Sequence, residues 1–216
     1  MAYDLEQQEQ IDSLKEWWRK YGNLVTWTLI VVLAAYASWS GWKLYQGSQT
    51  TKASQLYEEL QSAAAVKDSV RVLRAASDMQ SRFKRTVYAE MSGLVAAKVA
   101  FEANDLKAAA TQLQWVADHG KDSEYKAVAR LRLAGIYLDQ KTYDAALKVL
   151  SGEFPAAFEG AVADRKGDIL TVQDKPKEAR AAYQTALDKM GRDDPGRQLV
   201  QLKLDAMNGG SGNAAS

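Results

Sequence analysis

From Tyr21 to Trp42 the sequence runs for 22 residues, YGNLVTWTLIVVLAAYASWSGW, without one charged side chain, although 25% of the chain is Asp, Glu, Lys or Arg. As a helix rising about 1.5 Å per residue, the run reaches roughly 33 Å against a hydrocarbon core of about 30 Å, which suits one bilayer crossing. Its centre, Leu29 to Ala37, is apolar apart from the Tyr36 hydroxyl, and Asn23, Thr26, Thr28, Ser38 and Ser40 lie towards its ends. Five of the six tryptophans fall in or beside the run, and Trp17, Trp18, Trp39 and Trp42 mark its two margins. Indole rings favour the headgroup level, so these four are expected at the two faces of a lipid bilayer.

A cleaved signal has one point in its favour, the small-x-small pattern Ala35-Tyr36-Ala37. Against it, the segment ahead would be acidic and over twenty residues long, and bulky Trp39 and Trp42 follow at once. The aromatic margins also resemble two interfacial belts better than a protein core. A retained transmembrane helix is therefore expected over 21–45. Ahead of it, residues 1–20 carry five acids and three bases, and Ile11, Leu14, Trp18 and Tyr21 recur at spacings of three, four and three. That is one apolar stripe, expected as an amphipathic segment at the cytoplasmic interface. Lys15, Arg19 and Lys20 precede the span while Lys43 and Lys52 follow it, so the positive-inside bias favours a cytoplasmic N-terminus by one residue. On that orientation everything after Tyr45 lies outside the cytoplasm. Within the span Ala34, Ala37, Ser38 and Gly41 could form a helix-packing face.

Residues 46–52 (QGSQTTK) read as a linker, 53–208 as a helical domain, and 209–216 as a disordered tail too poor in apolar groups to fold. Three prolines in the whole chain, and long stretches rich in Ala, Leu, Lys, Glu and Gln, predict an all-α fold. Three segments superpose: LVAAKVAFEANDLKAAATQL from Leu94, LRLAGIYLDQKTYDAALKVL from Leu131, and DRKGDILTVQDKPKEARAAYQTAL from Asp164. Each reads as helix, polar turn, helix. Ala109, Ala146 and Ala179 take the same place at spacings of 37 and 33, and twelve residues before each stands a small residue: Ala97, Ala134 and Gly167. Two helices approach closely only where small side chains face each other. This pattern is similar to the tetratricopeptide repeat, a helical hairpin of about 34 residues that stacks into a solenoid. The third copy fits best, through Gly167, Leu170, Ala179, Tyr183 and Ala186. The first two lack the family's early tryptophan, and Ala100 stands where a large aromatic is usual.

A weaker hairpin is expected over Lys52 to Val66 and Ser69 to Gln80, and a terminal helix over Leu199 to Met207, giving about three and a half hairpins. Asp105 and Thr142 are expected to cap second helices, Pro176 to sit in a first turn, and Asp194-Pro195 to be a cap followed by proline at the first helical position.

Chemistry is sparse. A formal net charge of +1 offers no electrostatic case for nucleic acid. The absence of cysteine excludes disulfides, thiolate metal sites and a cysteine nucleophile. His119 is the only histidine and reads as a solvated loop residue, and no cofactor is expected. Asp164 and Asp168 are four apart on one helical face, more in keeping with a solvated or peptide-binding pair than with catalysis. An enzyme is not expected. A helical solenoid instead offers a concave groove lined by the first helix of each hairpin, and the register above turns Lys98, Phe101, Leu138 and Asp168 towards it.

Taken together, the N-terminal MAYDLEQQEQIDSLKEWWRKYGN, with Leu14-Lys15, Trp17-Trp18 and Tyr21-Gly22-Asn23 just ahead of a single span, and degenerate hairpins ending near LVQLKLDAM, resemble the YfgM family of bacterial inner-membrane proteins. The resemblance covers Met1 to Met207. It implies an ancillary subunit of the SecYEG translocon, held by one span with its N-terminus in the cytoplasm and its repeats in the periplasm. It further implies association with a membrane-anchored periplasmic chaperone of the peptidyl-prolyl isomerase type and with exported client proteins. An anchored scaffold for another envelope or respiratory-complex assembly is the alternative.

Overall fold

The computed structural model describes the backbone from residue 2 to residue 209, and side chains from residue 14 to residue 207 apart from Tyr45. Among the described residues there are nine helices and no strand: α1 (Ala2–Ala65), α2 (Ser69–Arg82), α3 (Val87–Glu102), α4 (Leu106–His119), α5 (Ser123–Asp139), α6 (Tyr143–Val149), α7 (Ala156–Val172), α8 (Pro176–Lys189) and α9 (Arg197–Gly209). The chain divides after Thr51 into two compact units.

The first unit belongs to α1, which is long and apolar enough to cross a membrane. Hydroxyls inside this stretch turn back on their own helix: Thr26 donates to the Gly22 carbonyl, Thr28 to Leu24 and Ser38 to Ala34, each at 2.8 Å. Such bonds satisfy these three hydroxyl protons within the helix, which is what a hydrocarbon surround demands. The segment 46–52, expected as a linker, is helical and continues α1. No proline interrupts it, and Thr50 and Thr51 donate to the carbonyls of Gln46 and Gly47 at 3.0 and 3.1 Å. Its polar composition marks the end of the apolar run without breaking the backbone. Ile11 of the expected stripe lies outside the described side chains, and the expected tail from 210 onward lies outside the described residues, while Gly209 closes α9.

In the second unit, Lys52–Ala65 pairs with α2, α3 with α4, α5 with α6, and α7 with α8. One backbone device makes all four turns. Lys67, Asn104, Lys141 and Asp174 adopt left-handed φ values of 57°, 60°, 58° and 57°, so the device recurs at spacings of 37, 37 and 33 residues. The next residue's N–H then bonds a carbonyl five residues back: Asp68 to Ala63, Asp105 to Ala100, Thr142 to Tyr137 and Lys175 to Leu170, at 2.8 to 3.0 Å. This satisfies the orphan carbonyls of each first helix within a three-residue turn. The hairpin before α3, expected to be the weakest, carries the same turn and is a full member. The solenoid therefore has four hairpins and a terminal helix.

Packing follows the small residues. Ala97, Ala109, Ala134, Ala146, Gly167 and Ala179 are all buried. A Cβ built on Gly167 would meet the Tyr183 ring at 2.4 Å, so only glycine allows α7 and α8 their separation there. The outer helices α2, α4 and α8 have 14 residues each, whereas α6 has seven. It gives way to a Ser151–Phe154 turn pinned by Arg130, which donates to the Glu153 carbonyl at 3.3 Å and lies over the Phe154 ring. The last hairpin is covered by α9, as expected, through buried Val200 and Leu204.

Two caps differ from expectation. Asp105 accepts from the Ala108 N–H at 2.9 Å, as an N-cap should, but the Thr142 hydroxyl donates to the Tyr137 carbonyl and leaves the α6 N–H groups alone. Asp194 accepts from Gly196 N–H in a turn, so Pro195 precedes α9, which begins at Arg197. Pro176 is in the first turn of α8.

Candidate functional site

The inner helices enclose a cleft of about 540 Å³ between α3 and α5, closed on one side by Arg165 of α7. Lys98, Phe101 and Glu102 reach it from α3, and Arg132, Gly135 and Asp139 from α5, over a floor formed by Leu113 and Ile136. Phe101 is 48% exposed. Lys98 and Glu102 form an exposed pair at 3.8 Å across one helical turn. Of the four residues expected in the groove, then, Lys98 and Phe101 share this cleft.

The other two lie elsewhere. Leu138 packs into the cluster formed by α5, α6 and α7 around Ala134, Ala146, Leu150 and Ile169. Asp168 accepts from Lys203 Nζ of α9 at 2.7 Å and from the Tyr183 hydroxyl at 3.0 Å, with Arg165 Nη1 3.8 Å from its second oxygen. Asp164, one turn earlier, accepts from the same ammonium at 2.8 Å. The aspartate pair is a clamp that holds α9 on α7, and its ligand is supplied by the chain itself.

Burial shapes the protonation of this clamp. It pushes the Asp164 carboxyl above its ordinary range, an effect only partly offset by the Lys203 hydrogen bond and reinforced by the charge on Asp168. Burial also pulls Lys203 downward, but the hydrogen bonds and charges of both aspartates outweigh it and leave the ammonium raised. One cation is shared by two anions, so the cation is fully compensated and Asp164 is not. Tyr183 is raised chiefly by burial, with the Thr171 hydroxyl bond opposing and Asp168 adding to the rise.

Along α1 the four expected interface tryptophans are all outward-facing. Trp17 lies 6.2 Å from the Trp18 ring and 5.8 Å from Tyr21, while at the other margin Trp39 has Tyr36 at 6.3 Å and the Lys43 ammonium 4.1 Å from its ring centre. Each margin thus carries an aromatic cluster. Ala34, Ala37, Ser38 and Gly41 are exposed, and a Cβ on Gly41 would meet nothing within 4 Å. His119 closes α4, stacked on Trp115 at 5.2 Å, and no group of three or more metal-ligating side chains occurs among the described residues.

Arg132 and Arg165 were not singled out by the reading of the sequence. The signal was present: each stands two residues before the small residue of its inner helix, 33 apart, in the spacing that separates Ala134 from Gly167.

The tetratricopeptide repeat-like domain family matches residues 15–209 of this chain. A protein from Neisseria gonorrhoeae named ancillary SecYEG translocon subunit is 33% identical over 211 residues, covering 96% of this chain and all of the relative. Proteins of the same name from Escherichia coli and Haemophilus influenzae are 26% and 25% identical, over 93% and 95% of this chain and 96% and 99% of their own lengths. The match takes in the anchor segment as well as the hairpins, and on that whole-length relationship the chain belongs to the tetratricopeptide repeat-like YfgM family, whose curated members are named ancillary SecYEG translocon subunits.

Proposed function

We propose that this protein is a non-catalytic binding scaffold anchored in the inner membrane beside the SecYEG translocon, with its N-terminus in the cytoplasm and its repeats in the periplasm. The observation that carries this reading is whole-length relationship, anchor included, to proteins named ancillary SecYEG translocon subunits. Its repeats receive exported polypeptides and pass them to a membrane-anchored periplasmic chaperone of the peptidyl-prolyl isomerase type. The anchor contributes energetically as well as positionally. Confinement beside an exit pore raises the effective concentration of the groove towards client and chaperone, so modest intrinsic affinity suffices. The small face of Ala34, Ala37, Ser38 and Gly41 packs against translocon helices, where close backbone approach needs small side chains.

Protease added to intact spheroplasts tests the orientation: digestion of the repeats, leaving a small protected N-terminal fragment, is expected. Full protection until the membrane is opened would put the repeats in the cytoplasm and overturn the reading. Photocrosslinking probes in the span are expected to reach translocon subunits, and probes in the repeats to reach the chaperone. Crosslinks to a different envelope or respiratory assembly would reassign the scaffold.

A further inference from the structure

We infer that the cleft between α3 and α5 binds an extended segment of unfolded polypeptide in which an acidic residue neighbours a large apolar one. This deepens the scaffold reading and rests on it, by naming the client chemistry the repeats select. Three cations, Lys98, Arg132 and Arg165, face the cleft against two carboxylates, Glu102 and Asp139. Lys98 is engaged with Glu102. Arg132 is exposed and makes no hydrogen bond or ion pair among the described residues. Arg165 has only a 3.8 Å approach to Asp168, whose nearer oxygen already serves Lys203 and Tyr183. Two guanidinium groups from successive repeats therefore border one cleft with spare donor capacity, an arrangement that a carboxylate accepting paired N–H bonds complements.

The apolar half of the ligand is read from Phe101. Its ring stands at the mouth above the floor of Leu113 and Ile136, offering an apolar contact next to the cations. At Gly135 the Arg165 guanidinium comes within 4.0 Å of where a Cβ would stand, so the missing side chain keeps the space between the two repeats open. A volume of about 540 Å³ is enough for one large side chain and its neighbouring carboxylate.

The test uses the full chain in lipid nanodiscs and blocked heptapeptides that differ only around a central phenylalanine: Asp-Phe-Asp, Asn-Phe-Asn and Lys-Phe-Lys. Fluorescence anisotropy is expected to show the acidic peptide binding about tenfold more tightly than the Asn peptide, the scale of a charged hydrogen bond, and losing that advantage in high salt. Arg132→Gln should erase most of the difference. Phe101→Ser should weaken the acidic and Asn peptides alike, and Lys148→Gln on α6 should change nothing. Equal binding of the acidic and Asn peptides, preference for the Lys peptide, no binding of any, or an unaltered Arg132→Gln protein would overturn the inference. Circular dichroism confirms that each variant is folded. Span crosslinking to the translocon, measured in the same variants, reports separately on the scaffold reading.

Discussion

The two units of this protein use the same helix for opposite ends. Before Thr51, large apolar side chains face outward on every side of α1: Leu24 is 68% exposed and Trp27 62%. After it, the interior is built largely on alanine, and Ala53, Ala76, Ala96, Ala109, Ala134, Ala146, Ala179 and Ala186 are completely buried. The first pattern needs an apolar medium supplied from outside, while the second supplies its own by bringing backbones close enough for methyl groups to fill the gap. Glycine shows the contrast at single positions. Gly41 has open space around it, whereas Gly167 lies against the Tyr183 ring.

The largest effect should come from charging the apolar surface of α1. Ile30→Arg with Leu33→Arg adds two charges near the middle of the run, each costing about 3 kcal/mol at a helix centre in a bilayer. The double variant is expected to leave the membrane pellet on carbonate extraction, with the melting of the repeats unchanged. Retention in the pellet would break the contrast by showing that the span is not what holds the protein there. Next comes a paired substitution. Gly167→Ala should destabilise the repeats by about 1–3 kcal/mol through forced displacement of Tyr183, while Gly41→Ala should leave thermal unfolding in detergent unaltered. Equal responses would mean that α7 and α8 are not in close contact.

A smaller effect belongs to the clamp. Because the folded protein holds Lys203 above its ordinary value of 10.5, the stability that its ammonium contributes is present below that pH and lost as pH rises beyond it. Melting followed from pH 8 to pH 12 should show this alkaline decline, with Tyr183 contributing in the same direction. Lys203→Met should be less stable at neutral pH, where it strands two carboxylates, and its decline should be shallower. An equally steep decline in the variant would remove Lys203 from the account. The smallest effects separate the two expected caps: Asp105→Ala should cost about 1 kcal/mol in urea unfolding. Thr142→Ala should cost less, since that hydroxyl bonds the preceding helix.

Much of this architecture is legible in particular residues. The uncharged run and its four marginal tryptophans need only composition, because a bilayer selects on length and polarity. The small residues at 97, 134 and 167 and at 109, 146 and 179 identify the hairpin crossings, since steric limits there are local. What was missed is partly local detail that residue type conceals and partly the work of neighbours remote in sequence. QGSQTTK has a linker's composition, yet its threonines satisfy themselves within the helix. Lys67 and Lys141 occupy a left-handed turn position that favours glycine or asparagine, so their residue type hides the repeat they mark. Asp168 has the register of a groove residue, but α9 returns from 35 positions further on to place Lys203 against it. Leu138 is diverted in the same manner by the α6 and α7 helices that fold over it.

By itself the sequence determined that the chain is helical, that one stretch suits a membrane, and that hairpins repeat about every 34 residues, because helix propensity, polarity and side-chain volume act over a few turns of chain. Tertiary structure alone decided which charges are spent on internal contacts and which remain available. Asp164 and Asp168 are consumed by Lys203, while Arg132 and Arg165 are left bordering a cleft. A charge's availability depends on the distance to its counter-charge, and that distance is set only when the helices have stacked.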